Sequence, residues 1–333
     1  MAPGSIWDGS SSPLLAQVGA HHGWLSSTLP HPSIPFSLFA IAHAVRVACV
    51  YRGIAVKGGY DKQLGNLQAA IVPLVLILGG GTVSSVMLGL VPGWVITPVP
   101  VMTYGLIPLV AHKLGLTSLI LSLPTLPRET LFCLIDGFSR IMGMTTLGVD
   151  VVLKHPQQAV RDSPWAMVLV AFISGGGGGM IVPAFRLFGP EWGFTGTPGW
   201  VKDGMPIDVW SAGFIGYVYA TLIDAHPFFR RLPAFVLTHV PALRAIFNVP
   251  KAYLTSPRYT ALLAAAEAKT FCSLLLFAML FATRIGIPLI RSVLAPSPAA
   301  KGKARKAAQQ EKAVVASSTA VAGKKGLKER KAQ

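Results

Sequence analysis

Five consecutive glycines, Gly175, Gly176, Gly177, Gly178 and Gly179, stand in the middle of an apolar segment that runs from Trp165 to about Phe188. In a soluble helix each would cost up to ~1 kcal/mol relative to alanine. Glycine-rich phosphate loops open a soluble helix after a strand and usually carry a lysine or a dinucleotide spacing; here Met180 and Ile181 follow instead. A membrane helix tolerates such a run, because neighbouring helices press against its bare backbone and take up its freed polar groups. A shorter copy, Gly79, Gly80 and Gly81, lies midway along another apolar segment. Two weakened helices in matching places predict breaks at mid-depth, with a solute or ion path between two half-repeats.

Composition points the same way. Of 333 residues 52% are apolar and only 13% charged, against about 25% charged in an average soluble domain, so the chain reads as a polytopic membrane protein. Its net charge of +16 is uneven, since residues 301–333 hold ten Lys/Arg against two Glu. On a soluble protein a basic tail would suggest nucleic acid. Behind a membrane helix it marks the cytoplasmic side or an anionic lipid surface. Residues 295–333 therefore read as a basic, disordered, cytoplasmic tail, with membrane lipids as partners and no nucleic acid. Cys49, Cys133 and Cys272 fall far apart in apolar segments and read as buried thiols, neither a disulfide framework nor a metal site. No catalytic Ser/His/Asp set and no HExxH motif is present, so an enzyme is not expected.

Taken in order, residues 1–33 are a polar, Pro- and Ser-rich non-cytoplasmic segment in which His21, His22 and His31 read as solvated loop histidines. Apolar segments follow at about 34–51, 66–91, 94–111, 127–153, 163–188, 206–223 and 269–294, each near the ~20 residues that span a bilayer. In the first, His43 and Arg46 lie one turn apart and share a face, and Arg46 is placed to snorkel to the near interface. Residues 225–268 intersperse Arg230, Arg231, Arg244, Lys251 and Arg258 with apolar side chains, too charged to span and suited to an amphipathic helix on the headgroup surface. The fourth segment is the most informative. At ~100° per residue, Glu129, Asp136, Arg140, Asp150 and Lys154 fall within an arc of roughly 80°, with Gly143 on the same stripe. A lipid-facing charge at mid-depth is expensive, so the stripe should face protein or water. It either lines a pore or forms a packing salt bridge in which Asp136 and Arg140 satisfy one another.

The spans divide as three, three and one, and the middle member of each trio carries a glycine run. The expected fold is thus an all-α polytopic membrane protein: seven transmembrane helices as a 3+3 inverted repeat plus one, with Gly-broken second and fifth helices. Residues 34–224 would form the six-helix pore domain, 225–268 an extramembrane connection, and 269–294 the seventh helix.

Several stretches resemble the TRIC family, the trimeric intracellular cation channels of sarcoplasmic and endoplasmic reticulum. They are the exit Tyr51-Arg52-Gly53-Ile54-Ala55-Val56 leading to a loop with Lys62, and the triplet Gly79-Gly80-Gly81. Leu126-Pro127 before Arg140, and the long glycine run followed by an aromatic loop with Trp192, complete the set. The likeness covers about residues 34–224 and, more loosely, 269–294. It implies a potassium conductance that balances charge during calcium release, in a homotrimer with one pore per subunit. It requires no cofactor, potassium being the permeant ion. Family members carry two basic residues close together on the fourth helix, linked to gating and phosphoinositide binding. Arg140 looks like one of them, with Lys57 and Lys62 as further lipid contacts, while Asp136 stands where a second base would be and makes the local field friendlier to cations. The 225–268 insertion is not typical and fits a divergent, fungal-type relative.

The residues themselves leave three readings. A cation channel would use glycine carbonyls at the breaks, with Asp136 and Arg140 setting the field. A secondary transporter would place its site at the same breaks, with Asp136 as proton carrier. A membrane scaffold would use the glycines only for close packing.

Overall fold

The computed structural model describes residues 13–27, 36–194, 196–242 and 261–294. The basic tail from 295 onward, His31 and residues 243–260 of the amphipathic connection lie outside the described residues. Among those described, every element is helical. The chain divides into two units, residues 1–285 and 286–333.

In the first unit, α1 (Pro13–Ser26) occupies part of the N-terminal segment read as loop. α2 (Leu38–Gly58) begins where the Ser37 side chain accepts from the Ala40 N–H at 3.1 Å and ends at Gly59, whose φ of +74° only glycine adopts freely. α3 (Asn66–Met87) starts at Gly65, whose N–H donates to Gln68 Oε1 at 2.8 Å. The third predicted segment is not one rod. Short turns and a π segment, Met102–Leu106, lead into α4 (Ile107–Lys113) and α5 (Leu116–Ser122), and the chain bends by 74° across the last break. The fourth becomes α6 (Thr125–Ser139), a turn at Ile141–Met144, a π segment at Thr145–Asp150 and a last turn to Leu153. α7 (Pro164–Ala184) is capped by Ser163, and α8 (Ile207–Leu222) comes after the loop. After α9 (Arg231–His239), α10 (Ala265–Phe281) runs into a π segment, Ala282–Gly286. The second unit is described only in its first residues, which form α11 (Ile287–Leu294).

Four stretches are long and apolar enough to cross a membrane: Leu38–Gly58, Asn66–Met87, Pro164–Ala184 and Ala265–Leu294. The bent pair Val99–Lys113 and Leu116–Ser122 makes a fifth if it counts as one span. α8, with 16 residues, falls short of the usual ~20, and α6 with its continuation is interrupted and charged. The last span begins at Ala265 rather than at residue 269.

The glycine runs do not break their helices. Both α3 and α7 pass through them as continuous α-helix, because the space a side chain would fill is taken by other backbones. A β-carbon on Gly80 would overlap the Ile173 carbonyl, and one on Gly178 the Leu76 carbonyl. One on Gly177 would lie 2.7 Å from Gly80 Cα, and on the other flank one on Gly176 would lie 2.8 Å from the Val209 carbonyl. The run is therefore a two-sided bearing: α3 presses on one flank of α7 and α8 on the other. That contact replaces the flexibility expected of the sequence, since close backbone approach is what small residues supply in membrane helices.

The main core lies between α7, α8, α10 and the fourth segment, with Met144, Met167, Ile215, Tyr219 and Leu276 fully buried. Cys133 and Cys272 belong to this core, and Cys49 is buried as well.

Candidate functional site

Two carboxylates and three guanidiniums meet inside the first unit. Asp136, on α6 and only 2% exposed, accepts from Arg46 on α2 and from Arg284 at 2.8 Å. Arg284 also reaches Asp208, at the start of α8, at 2.5 Å. Arg140 pairs with the same carboxylate at 2.9 Å and donates to the Asp208 and Gly175 carbonyls. Asp136 and Arg140 thus do not satisfy one another, although they stand one turn apart. Each is drawn to a partner on another helix, which ties α2, α6, α8 and the segment after α10 together.

Helix geometry explains why these groups converge. Arg46 is not at an interface as the snorkelling reading had it. It is 9% exposed, with its guanidinium carbon 5.6 Å from the centre of the Phe132 ring. His43 shares that face as expected, with Nδ1 3.1 Å from the Tyr104 hydroxyl. Tyr104 and Arg284 both belong to π segments. The widened turn of a π segment shifts the register of the residues beyond it, and such turns recur at functional sites.

The same effect disperses the predicted stripe. Glu129, Asp136, Arg140 and Gly143 line one cavity, whereas Asp150, at the end of a π segment, is turned away from it. Asp150 accepts instead from Lys269 Nζ at 2.7 Å and from the Tyr219 hydroxyl at 2.9 Å, while Lys154 is exposed. The pairs Asp136–Arg284 and Asp150–Lys269 join the fourth segment to the last one in opposite chain order, so the two run antiparallel.

The cavity has a volume of about 680 Å³ and draws its walls from α2, α3, the bent pair, α6, α7 and α8. Among the sequence-derived site residues, Asp136, Arg140, Gly81, Gly175, Gly179 and Lys57 line it. Gly79, Gly80, Gly176, Gly177 and Gly178 do not; they face neighbouring helices. Lys62 lies away from it and exposed. Sequence reasoning missed Arg284, although an arginine in the middle of the apolar stretch 269–294 is a signal that intramembrane charge is functional or paired. Asp208, near the start of the apolar segment at 206–223, is likewise not singled out by the sequence.

Arg46, Ser139 and Ser174 line this cavity, and Arg46 Nε and the two serine hydroxyls are buried without a hydrogen-bond partner among the described residues. Buried polar groups are normally satisfied; the hydroxyls of Tyr51, Thr117 and Ser211, away from the cavity, are orphaned in the same way. Among the described residues no group of His, Cys, Asp and Glu is arranged to hold a metal ion. His22 packs against the rings of Phe39 and Phe138 at 5.3 and 5.2 Å, and burial there lowers its pKa from the usual imidazole value.

The apolar helices and this charged interior fit a multi-pass α-helical membrane protein. No protein-family profile matches the chain, and no curated protein or solved structure matches it either.

Proposed function

We propose that the chain is a channel for monovalent cations, chiefly potassium, in a membrane of endoplasmic-reticulum type, where it supplies counter-ion flow during calcium release. The observation that carries this reading is the charge-lined cavity between α2, α3, α6, α7 and α8, with Glu129, Asp136 and Asp208 as its acidic groups. An ion crossing ~30 Å of hydrocarbon needs its hydration shell replaced by water, carbonyls or acidic side chains. In the arrangement seen, Arg46, Arg140 and Arg284 cover Asp136 and Asp208, and Arg128 covers Glu129. Opening then means drawing at least one arginine off its partner, and Arg140 is the movable gate charge.

The fuller picture has seven spans in a 3+3+1 order with inverted halves, three subunits each with its own pore, and a cytoplasmic C-terminus. Lys57 on the cavity wall would be the nearer of the two proposed lipid-contacting lysines. The glycine carbonyls are no longer part of the mechanism, since unbroken helices keep them bonded. That same finding favours the scaffold as a second reading, with the glycines serving packing alone. A scaffold gives no reason for eight acidic and basic side chains around a cavity. Planar-bilayer recording of purified protein under asymmetric potassium chloride separates the readings: discrete currents reversing toward the potassium potential support the channel, and silence at every voltage supports the scaffold.

A further inference from the structure

The charges around Asp136 do not balance. Three guanidiniums, Arg46, Arg140 and Arg284, share two carboxylates, Asp136 and Asp208. The other charged residues lining the cavity do not make up the difference. Arg128 is paired with its neighbour Glu129 at 3.2 Å, and Lys57 is an exposed cation. His43 adds no negative charge. Among the described residues one positive charge is left over in a cluster that runs from the buried pair Arg46 and Asp136, with side chains 10% and 2% exposed, to Asp208, whose side chain is 44% exposed. An uncompensated charge held inside a membrane protein is costly, well beyond what a surface charge would be.

Two unsatisfied donors are nine-tenths buried at this cavity. Among the described residues Arg46 Nε has no partner and neither has the hydroxyl of Ser174, a residue 8% exposed, and both atoms are closed off from the cavity's open space. Ser174 adjoins Gly175, whose carbonyl accepts from Arg140, and the unpartnered Ser139 hydroxyl precedes Arg140 in the chain. We infer that the cavity binds one small monovalent inorganic anion of chloride type, held by the surplus guanidinium charge of Arg46, Arg140 and Arg284. The ion's single charge matches the surplus of one, and guanidinium N–H donors suit a spherical acceptor. The anion would also hold the arginines over the carboxylates in the resting arrangement. The inference takes the cavity as the functional site of the reading above but does not require that it conduct.

The test is thermal unfolding of the purified full-length protein in detergent, at fixed ionic strength, with chloride replacing gluconate. The expected result is a rise in melting temperature of a few degrees that saturates with chloride, as binding to the folded state alone demands. Arg46→Met makes the cluster neutral and should abolish the response. Ser139→Asp supplies a carboxylate in place of the ion, should abolish it too, and decides the matter alone if the first variant does not fold. Equal melting in both anions, a chloride response that survives in a folded variant, or a response to inorganic phosphate and not to chloride would overturn the inference. The assay reads no current, so a silent bilayer with an intact chloride response would contradict the channel and leave the anion site standing.

Discussion

Asp136 and Arg46 form one ion pair, yet the two ends of that pair are not equivalent. Removing Asp136 as Asp136→Asn leaves Arg140 and Arg284 on Asp208 and Arg46 without the carboxylate it pairs with, and breaking a buried pair in this way costs about 3–5 kcal/mol. Removing Arg46 as Arg46→Met leaves two guanidiniums for two carboxylates, in a side chain of similar length. The expected order is a large loss of thermal stability in detergent for Asp136→Asn and a small one for Arg46→Met. Equal losses would mean that the surplus charge has no energetic weight. The sequence showed that His43 and Arg46 share a face and that Asp136 and Arg140 share another. It did not show that the two faces meet, because Arg46 near a helix end has a cheaper option on paper, reaching water. Only the packing of α2 on α6 closes that route.

Among the elements, α7 is the one whose character changed most between sequence and structure. Glycine lowers helix stability in isolation, and five in a row read naturally as a break. Inside a bundle the sum is different: α3 and α8 approach α7 so closely that a β-carbon on Gly178 has nowhere to go, whereas one on Gly179 meets only the tip of Val209 at 3.2 Å. Gly178→Ala should therefore destabilise by about 1–3 kcal/mol through overpacking, while Gly179→Ala should be close to neutral. Thermal melts of the two variants check this. Comparable stabilisation of both would point instead to a helix held back by its glycines. The π segments are the other hidden feature. Hydrophobic periodicity assumes 3.6 residues per turn, so nothing in the pattern of residues 125–153 announces the wide turn that carries Asp150 off the stripe and onto Lys269.

For the whole molecule, the hydropathy of the chain foretold a multi-pass helical protein, and four or five spans meet that description by length and composition. The span count blurred where charge or length departs from the simple rule: at the interrupted fourth segment, the short α8 and the bend before α5. Those are also the places that wall the cavity, since a helix that must carry Asp136, Arg140 or Asp208 is a poorer match to hydrocarbon. The central claim is that this cavity is wetted and lies on the ion path. It is tested most directly by Ser139→Cys in a background with Cys49, Cys133 and Cys272 replaced by alanine, recorded in bilayers while a charged, water-soluble thiol reagent is added. The account predicts modification and a large, lasting change in potassium current. A thiol that never reacts, or one that reacts while the current is unaltered, would contradict it.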